Sequence, residues 1–362
     1  MNTNNRYPVG MVEILKKGNE LKASDLHFAV GDPPIFRINR AMVKSDLPVL
    51  NSDNIKELLG HLVKPHQLEA LKNNLELDFS YSIPHVARFR GNVMVQRGTL
   101  AIALRIVPIE IPKLEDLGVV PGVRDLCFLP RGLILVTGPT GSGKSTTLAA
   151  MINIINEERD LNILTVEDPI EFLHSHKRSS VKQREVGFDT HSFTNALRHM
   201  LRHDPDVILI GEMRDLDSIG IALTAAETGH LVLSTLHTQT APLTINRIVD
   251  VFAEHQREQI RQQLSSSMQA VLSQQLIPNV RGDGRVLAME FLKTNAAVRN
   301  QIREGKEHQL YSVMQASHAT GMKTMDQSLV DLCAAGKISR VEAIEKCIDR
   351  TEVERLLQRR SL

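Results

Sequence analysis

One octapeptide predicts the core architecture of this chain: Gly138-Pro139-Thr140-Gly141-Ser142-Gly143-Lys144-Ser145. It matches the phosphate-binding P-loop pattern at every fixed position. The residues before it, Leu133-Ile134-Leu135-Val136-Thr137, form the short apolar run that is typical of a buried strand. The residues after it, from Thr146 to Ile152, are helix formers with no breaker among them. The sequence therefore predicts a strand, a glycine-rich turn and a helix that together bind phosphate.

The residue types of the octapeptide also predict what each part does. Glycines let successive backbone N–H groups converge on phosphate oxygens, and the start of the next helix adds partial positive charge. Lys144 is expected to reach the β- and γ-phosphates, and the Ser145 hydroxyl is expected to bind Mg²⁺. The expected ligands are a nucleoside triphosphate and Mg²⁺, contacted from Gly138 to Thr146. The alternative is a glycine turn with an incidental lysine.

Composition limits the class of protein. The 362 residues suffice for two or three domains. With 43 basic and 42 acidic residues the net charge is +1, and aromatics are only 4%, so a nucleic-acid partner is not expected. The three cysteines include no C-x-x-C pair, which disfavours a disulfide framework or a zinc site. No transmembrane segment or signal core is expected, and a cytoplasmic location is the default expectation.

The first part of the chain mixes helical and strand patterns. An apolar stripe at Ile55, Leu58, Leu59 and Leu62 predicts a helix, and a shorter helix is expected to end near Gly18. Strands are expected over these ranges: 25–30, 34–38, 87–96 and 100–107. Residues 1–107 are therefore expected to form an α+β domain.

Prolines recur between residues 108 and 130, at Pro108, Pro112, Pro121 and Pro130. This spacing predicts an extended, fairly stiff linker, and the alternative is a surface loop within one domain.

From Arg131 onward, strands alternate with helices, which predicts a largely parallel sheet with helices on its faces. Its apolar strands are expected at 133–137, 162–166, 207–210 and 231–235. We expect an ATPase-like core over 131–292 and a helical C-terminal region over 293–362.

Polar residues follow three of these strands, at the edge where open α/β sheets bind ligands. Glu212 ends the strand that begins near Asp206, and it is the first candidate to activate the attacking water. Glu167 and Asp168 begin an acidic cluster that could bind Mg²⁺ or position water. His237 follows the next strand and could bind or sense a γ-phosphate. The alternative for each is a solvated residue at a strand exit.

In the first domain, arginines fall on strand-like segments. Strand alternation places Arg88 and Arg90 on one face, and Arg105 lies on the following segment. Such a basic face could clamp phosphates from outside the core.

Together these motifs resemble the secretion ATPases of type II secretion systems and type IV pili. They occur in the family's order: the P-loop, the acidic box at 167–171, the strand ending Gly211-Glu212-Met213-Arg214-Asp215, and a histidine box at 229–238. The similarity covers nearly the whole chain, from Ala23-Ser24-Asp25-Leu26-His27-Phe28 onward. It implies a RecA-like P-loop core, a PAS-like α+β N-terminal domain and a helical C-terminal tail, assembled as a homohexamer with ATP as substrate. It also implies that Arg90 and Arg105 reach the nucleotide.

The C-terminal region is similar to the pilus-retraction branch of this family. Residues 297–306, AVRNQIREGK, differ from that branch's signature AIRNLIREGK at Val298 and Gln301, where Gln301 replaces an apolar residue. The resemblance implies an ATP-driven motor for pilus retraction and twitching motility. Its implied partners are the inner-membrane platform protein of the pilus and a paralogous retraction ATPase. Its implied location is the cytoplasmic face of the inner membrane.

Three other functions remain open at this point. A related type II secretion or pilus assembly ATPase is disfavoured, because those relatives are longer and usually carry a tetracysteine zinc loop. A non-catalytic accessory ring is disfavoured by the intact Lys144, Ser145 and Glu212. A nucleic-acid motor is disfavoured by the neutral net charge.

Overall fold

The structure is a computed structural model, and it describes residues 7–39, 41–84, 86–107 and 110–359. The chain divides into two compact units. Unit 1 comprises Met1–Glu110 with Glu171–Leu173, and unit 2 comprises Ile111–Ile170 with His174–Leu362.

Unit 1 contains a six-stranded sheet in the order β3-β2-β1-β6-β5-β4, and every neighbouring pair is antiparallel. The strands are β1 Asp25–Ala29, β2 Ile35–Ile38, β3 Ala41–Lys44, β4 Glu76–Ile83, β5 Ala87–Gln96 and β6 Thr99–Val107. The helices are α1 Met11–Glu20, α2 Ser52–Gly60 and α3 Pro65–Asn74. The four strands and two helices that the sequence predicts here are all present, although α1 continues past Gly18.

Three elements of unit 1 were not predicted from the sequence. β4 was missed although its apolar residues alternate with polar ones, at Leu77, Phe79, Tyr81 and Ile83. The other two, β3 and α3, had weak sequence signals. All four side chains of β3 are exposed, so the strand has no apolar alternation. Only Leu71 of α3 is buried, so that helix has no apolar stripe. In β5, by contrast, Phe89 and Val93 enter the core while Arg90 faces solvent, as strand alternation predicts.

The segment around residues 111–130 differs from the extended linker that its prolines predict. It forms a 3₁₀ turn at Leu114–Leu117 and a short helix, α4, at Gly122–Leu126. Leu114, Val123 and Leu126 are buried in the core of unit 2. The prediction was wrong here because prolines can begin helices as well as extend chains, and Pro121 is the N-cap of α4. Pro108 lies outside the described residues.

Unit 2 is built on a seven-stranded sheet in the order β13-β12-β7-β11-β10-β8-β9. The strands are β7 Gly132–Thr137, β8 Asn162–Glu167, β9 Ser180–Glu185, β10 Val207–Ile210, β11 Leu231–Leu236, β12 Met268–Pro278 and β13 Arg285–Lys293. All neighbouring strands are parallel except β12 and β13. The four predicted parallel strands are confirmed, and every residue of β7, β10 and β11 is buried.

Helices cover both faces of this sheet, because alternate residues of each strand enter different cores. In β7, Leu133 and Leu135 join one hydrophobic cluster, while Ile134 and Val136 join the other. The helices of this part are α5 Lys144–Glu158, α6 Phe193–Met200, α7 Leu216–Glu227, α8 Ala241–Asp250 and α9 Glu254–Ser267.

The chain is helical after β13, as expected. The last helices are α10 Ala296–Arg303, α11 Leu310–Ala316, α12 Met325–Ala334, α13 Arg340–Lys346 and α14 Arg350–Arg359. Residues 297–303 of the retraction-type signature lie in α10, which buries Val298 and Ile302. Arg299 fastens α10 to the end of α9 by donating to the carbonyls of Ser265 and Ser266, at 2.5 and 2.8 Å. Within the described ranges, no helix is long and apolar enough to cross a bilayer.

Candidate nucleotide-binding and hydrolysis site

The P-loop follows β7, and its curl depends on glycine. Gly138, Gly141 and Gly143 have φ angles of +135°, +77° and +91°, which L-residues rarely adopt. A Cβ on Gly138 would lie 2.3 Å from the carbonyl oxygen of Gln274 and 2.7 Å from Ser142 Oγ. The loop therefore packs tightly against β12 at its first glycine.

The side chains of the loop offer donors that suit a phosphate chain. Lys144, the first residue of α5, is buried and donates from Nζ to the carbonyls of Gly138 and Pro139, at 2.8 and 3.1 Å. This holds the ammonium group over the loop. Ser142 Oγ is buried and has no hydrogen-bond partner among the residues that the structure describes. The Ser142 hydroxyl, the Lys144 ammonium group and the N-terminus of α5 are hydrogen-bond donors of the kind that bind a triphosphate.

Strand register brings the other predicted residues to the same edge of the sheet. Leu236 of β11 pairs with Thr137 of β7, so His237 and Gly138 leave adjacent strands together. Ile210 of β10 pairs with both Ser234 and Val166. Gly211 and Glu167 therefore leave the sheet beside each other. The P-loop, Glu167, Glu212 and His237 lie at the carboxyl edge of four neighbouring parallel strands, as the sequence predicts.

Glu212 is held between two cationic or donating side chains. Its Oε2 lies 2.8 Å from Arg214 Nη2, and its Oε1 lies 3.0 Å from His237 Nε2. Partial burial acts to raise the pKa of Glu212, but Arg214 and His237 together outweigh it, and the pKa is lowered. The carboxylate is therefore ionised at neutral pH and can accept a hydrogen bond from a water molecule.

Two residues of the acidic box, Glu167 and Asp168, lie at the end of β8, near the Glu212 segment. Glu167 Oε1 accepts hydrogen bonds from Thr165 Oγ1 at 2.7 Å and from Gln183 Nε2 at 3.1 Å. Asp168 is exposed. The pKa of Arg214 is raised, chiefly by its bond to Glu212 and to a smaller extent by the charge of Asp168. The structure thus places Asp168 within electrostatic reach of the Glu212–Arg214 pair.

Two residues of this site had no role in the sequence-based prediction. Gln274, buried in β12, donates from Nε2 to Thr147 Oγ1 of α5 at 2.7 Å. The other is Arg214, whose Nη2 lies 2.8 Å from Glu212 Oε2 and orients that carboxylate. The only sequence signal for Gln274 is a polar residue within an apolar strand, which gives no partner.

Arg90 and Arg105 lie in unit 1. They are direct neighbours across β5 and β6 in the strand register, and both are exposed. Arg105 Nε lies 3.0 Å from Asp25 Oδ1, and this leaves the outer part of its guanidinium in solvent. Two adjacent exposed guanidiniums form an anion-attracting pair; nucleotide contact by either remains a prediction.

Comparison with known proteins identifies the family. The family model described as "Type II/IV secretion system protein" matches residues 77–345, which is more than half of the chain. The chain belongs to this family. This secretion-family chain is 46% identical over 336 residues to the type IV pilus retraction ATPase PilT of Pseudomonas aeruginosa, covering 93% of this chain and 97% of PilT. It is 48% identical over 326 residues to a twitching motility protein of Neisseria gonorrhoeae, covering 88% and 87%.

A solved structure supports the same assignment. The crystal structure of the pilus retraction motor PilT with bound ADP superposes with a TM-score of 0.88, at 48% identity over 96% of this chain and 99% of that one. The expected RecA-like α/β fold and the resemblance to the pilus-retraction branch are confirmed. This secretion-family protein is an ATPase of the pilus-retraction type.

Proposed function

We propose that this chain works as a homohexameric motor that hydrolyses ATP in the presence of Mg²⁺ to withdraw a type IV pilus. The observation that carries the catalytic part is Glu212, oriented by Arg214 and His237 at the sheet edge that also bears the P-loop. High identity to a pilus retraction ATPase over nearly the full length of both chains supports the retraction part.

Different residues of unit 2 bind the phosphate chain and the Mg²⁺ ion. The glycine-rich backbone and Lys144 bind the phosphate chain of ATP and neutralise its charge. Ser145 would bind Mg²⁺ through its hydroxyl, with Glu167 or Asp168 holding a water of the ion, and the ion would offset the charge of the β- and γ-phosphates.

Glu212 orients the attacking water, because its two oxygens are already fixed by Arg214 and His237. Its lowered pKa keeps the carboxylate ionised, so that it can accept a hydrogen bond from the water. His237 Nε2 contacts Glu212 Oε1. If loss of the γ-phosphate on hydrolysis displaces one of these two residues, the contact would therefore displace the other.

The proposal extends to contacts outside this edge of the sheet. Arg90 and Arg105 bind the nucleotide, as the family resemblance implies and their exposure permits. The hexamer acts on the platform protein of the pilus at the cytoplasmic face of the inner membrane, and a paralogous retraction ATPase joins it there. The names of the similar proteins, a pilus retraction ATPase and a twitching motility protein, support the pilus as the structure on which the motor acts.

The test separates binding from turnover. Glu212→Gln keeps the shape of the side chain, and it should lower kcat by about 10²-fold or more while a fluorescent ADP analogue still binds. Lys144→Ala should lose the binding itself. Phosphate release by Glu212→Gln at the wild-type rate would remove Glu212 from its role.

The retraction part is tested in cells. A strain lacking its own retraction ATPase should regain twitching with the wild-type chain and should not regain it with Glu212→Gln at equal expression. Purified protein that hydrolyses ATP but restores no twitching would contradict the retraction function and leave the ATPase assignment intact.

A further inference from the structure

Glu290 is a fully buried carboxylate that the hydrolysis site does not use. It lies on β13, in the interior of unit 2, with 0% of its surface exposed. Its Oε1 accepts a hydrogen bond from the backbone N–H of Ala241 at 2.7 Å. Its Oε2 accepts one from the backbone N–H of Met325 at 3.4 Å. Ala241 is the first residue of α8, and Met325 is the first residue of α12, so one carboxylate joins the starts of two helices.

The two helix starts depend on this carboxylate. Their N-cap residues, Thr240 and Thr324, accept from donors deeper in the first turn, at Leu243 and Gln327. The N–H groups of the first helical residues need another acceptor. The two carboxyl oxygens of Glu290 supply that acceptor, one to each helix start.

The first of these helices is linked to the hydrolysis site. α8 begins only four residues after His237, which contacts Glu212. The short connection is braced by the hydroxyls of Thr238 and Thr244, 2.7 Å apart. Because this connection is short and braced, a displacement of His237 is expected to displace Ala241 and the Glu290 carboxyl group that Ala241 contacts.

The second helix carries the rest of the C-terminal region. Asp326, the second residue of α12, is buried and accepts from the backbone N–H groups of Ile348 and Asp349, at 2.7 and 3.0 Å. It also accepts from the Tyr311 hydroxyl at 2.9 Å. A shift at the start of α12 would thus be passed to α11 and to the connection between α13 and α14.

We propose that Glu290 is a positioning residue that couples the His237 connection to the C-terminal helices α11–α14. Movement of His237 during hydrolysis is passed through α8, Glu290 and α12 to the helices that follow the retraction-type signature. This inference rests on the role proposed for His237, and it adds a route by which hydrolysis reaches a part of the chain remote in sequence.

The variant that tests this coupling is Glu290→Gln in the full chain. The amide has one acceptor oxygen, and its NH₂ would face the second helix N–H, so one of the two contacts is lost. Steady-state ATPase assays should show kcat reduced on the order of tenfold, with KM for ATP unchanged. Hydrogen exchange of residues 325–334 should respond to an ATP analogue in the wild type and lose that response in the variant.

A matched control is Ser328→Ala. Ser328 Oγ accepts from the backbone N–H of Met289, next to Glu290, and so joins α12 to β13 by a hydrogen bond that does not involve α8. This variant weakens the same helix–strand contact, yet it should keep both kcat and the exchange response. An equal loss in Ser328→Ala would show that Glu290 acts only through packing, and the coupling would be refuted.

Two further results distinguish a failure of the Glu290 coupling from a failure of the role proposed for His237. A wild-type chain whose α12 exchange ignores nucleotide, or a Glu290→Gln chain that keeps the response, would overturn the coupling even if Glu212 and His237 are catalytic. Wild-type kcat in His237→Ala would instead overturn the proposed role of His237, and the exchange measurement would still report directly on the Glu290 contact.

Discussion

A methyl group added to the first glycine of the P-loop should abolish most nucleotide binding. Gly138 has φ +135°, a conformation that alanine rarely adopts, and its new Cβ would lie 2.3 Å from the carbonyl oxygen of Gln274. That oxygen belongs to the backbone of β12, which is paired on both sides, by β13 and β7, so it cannot move aside without disturbing the sheet. Backbone strain of this kind costs about 1–3 kcal/mol, and the steric contact adds to it.

The size of the effect follows from comparison with a second glycine of the loop. Gly141 also has positive φ, at +77°, but a Cβ there meets nothing within 4 Å. Gly141→Ala should therefore destabilise the loop only by the strain of a left-handed alanine, about 1–2 kcal/mol. If Gly138→Ala loses about 3 kcal/mol or more of loop stability, its affinity for nucleotide should fall on the order of 100-fold, since about 1.4 kcal/mol corresponds to tenfold.

Titration of a fluorescent ADP analogue at constant Mg²⁺ measures both variants. Thermal unfolding of each variant provides the control for global stability. Binding by Gly138→Ala within threefold of wild type, or equal losses in the two variants, would refute the argument from the Gln274 contact.

Three further predictions follow from individual side chains. Gln301 has a buried Oε1 for which the described residues provide no hydrogen-bond partner, so Gln301→Leu should raise the free energy of unfolding by about 1–2 kcal/mol in urea denaturation; a loss of stability would show that the amide has a partner. His237 contributes to the lowered pKa of Glu212, so His237→Ala should move the acidic limb of the ATPase pH profile to higher pH; an unshifted limb would argue against the contact. Burial, followed by the charge of Asp326, raises the pKa of Glu290 to about 7 although its two N–H donors oppose this, and the folded state therefore holds a proton that the unfolded state releases near pH 4.5. Glu290 therefore adds about 3 kcal/mol to the free energy of unfolding at low pH, and this contribution is lost as the pH rises from 4.5 to 7. Urea denaturation at a series of pH values should show this pH dependence in the wild type and not in Glu290→Gln; the same dependence in both would contradict the assignment.

Local sequence patterns were sufficient for much of the fold. Apolar runs located β7, β8, β10 and β11 in the described structure, because buried parallel strands require uninterrupted apolar side chains. The P-loop pattern and the polar residues after three strands predicted which side chains would share one edge of the sheet, since parallel strands place their carboxyl ends together; their roles in hydrolysis stay a proposal. Weakly patterned elements such as β3, α3 and the helix at Gly122–Leu126 were not found, because few or none of their side chains alternate between core and solvent.

Contacts between buried polar residues could be known only from the folded chain. Gln274 meets Thr147 across 127 positions of sequence, and Glu290 meets Ala241 and Met325 across 49 and 35. No periodicity encodes such pairs, because a buried polar group takes whichever donor the packing of distant elements brings within reach. The P-loop thus made a nucleotide site predictable from eight consecutive residues. The route by which that site could act on the C-terminal helices depends on a carboxylate that only tertiary packing places between two helix starts.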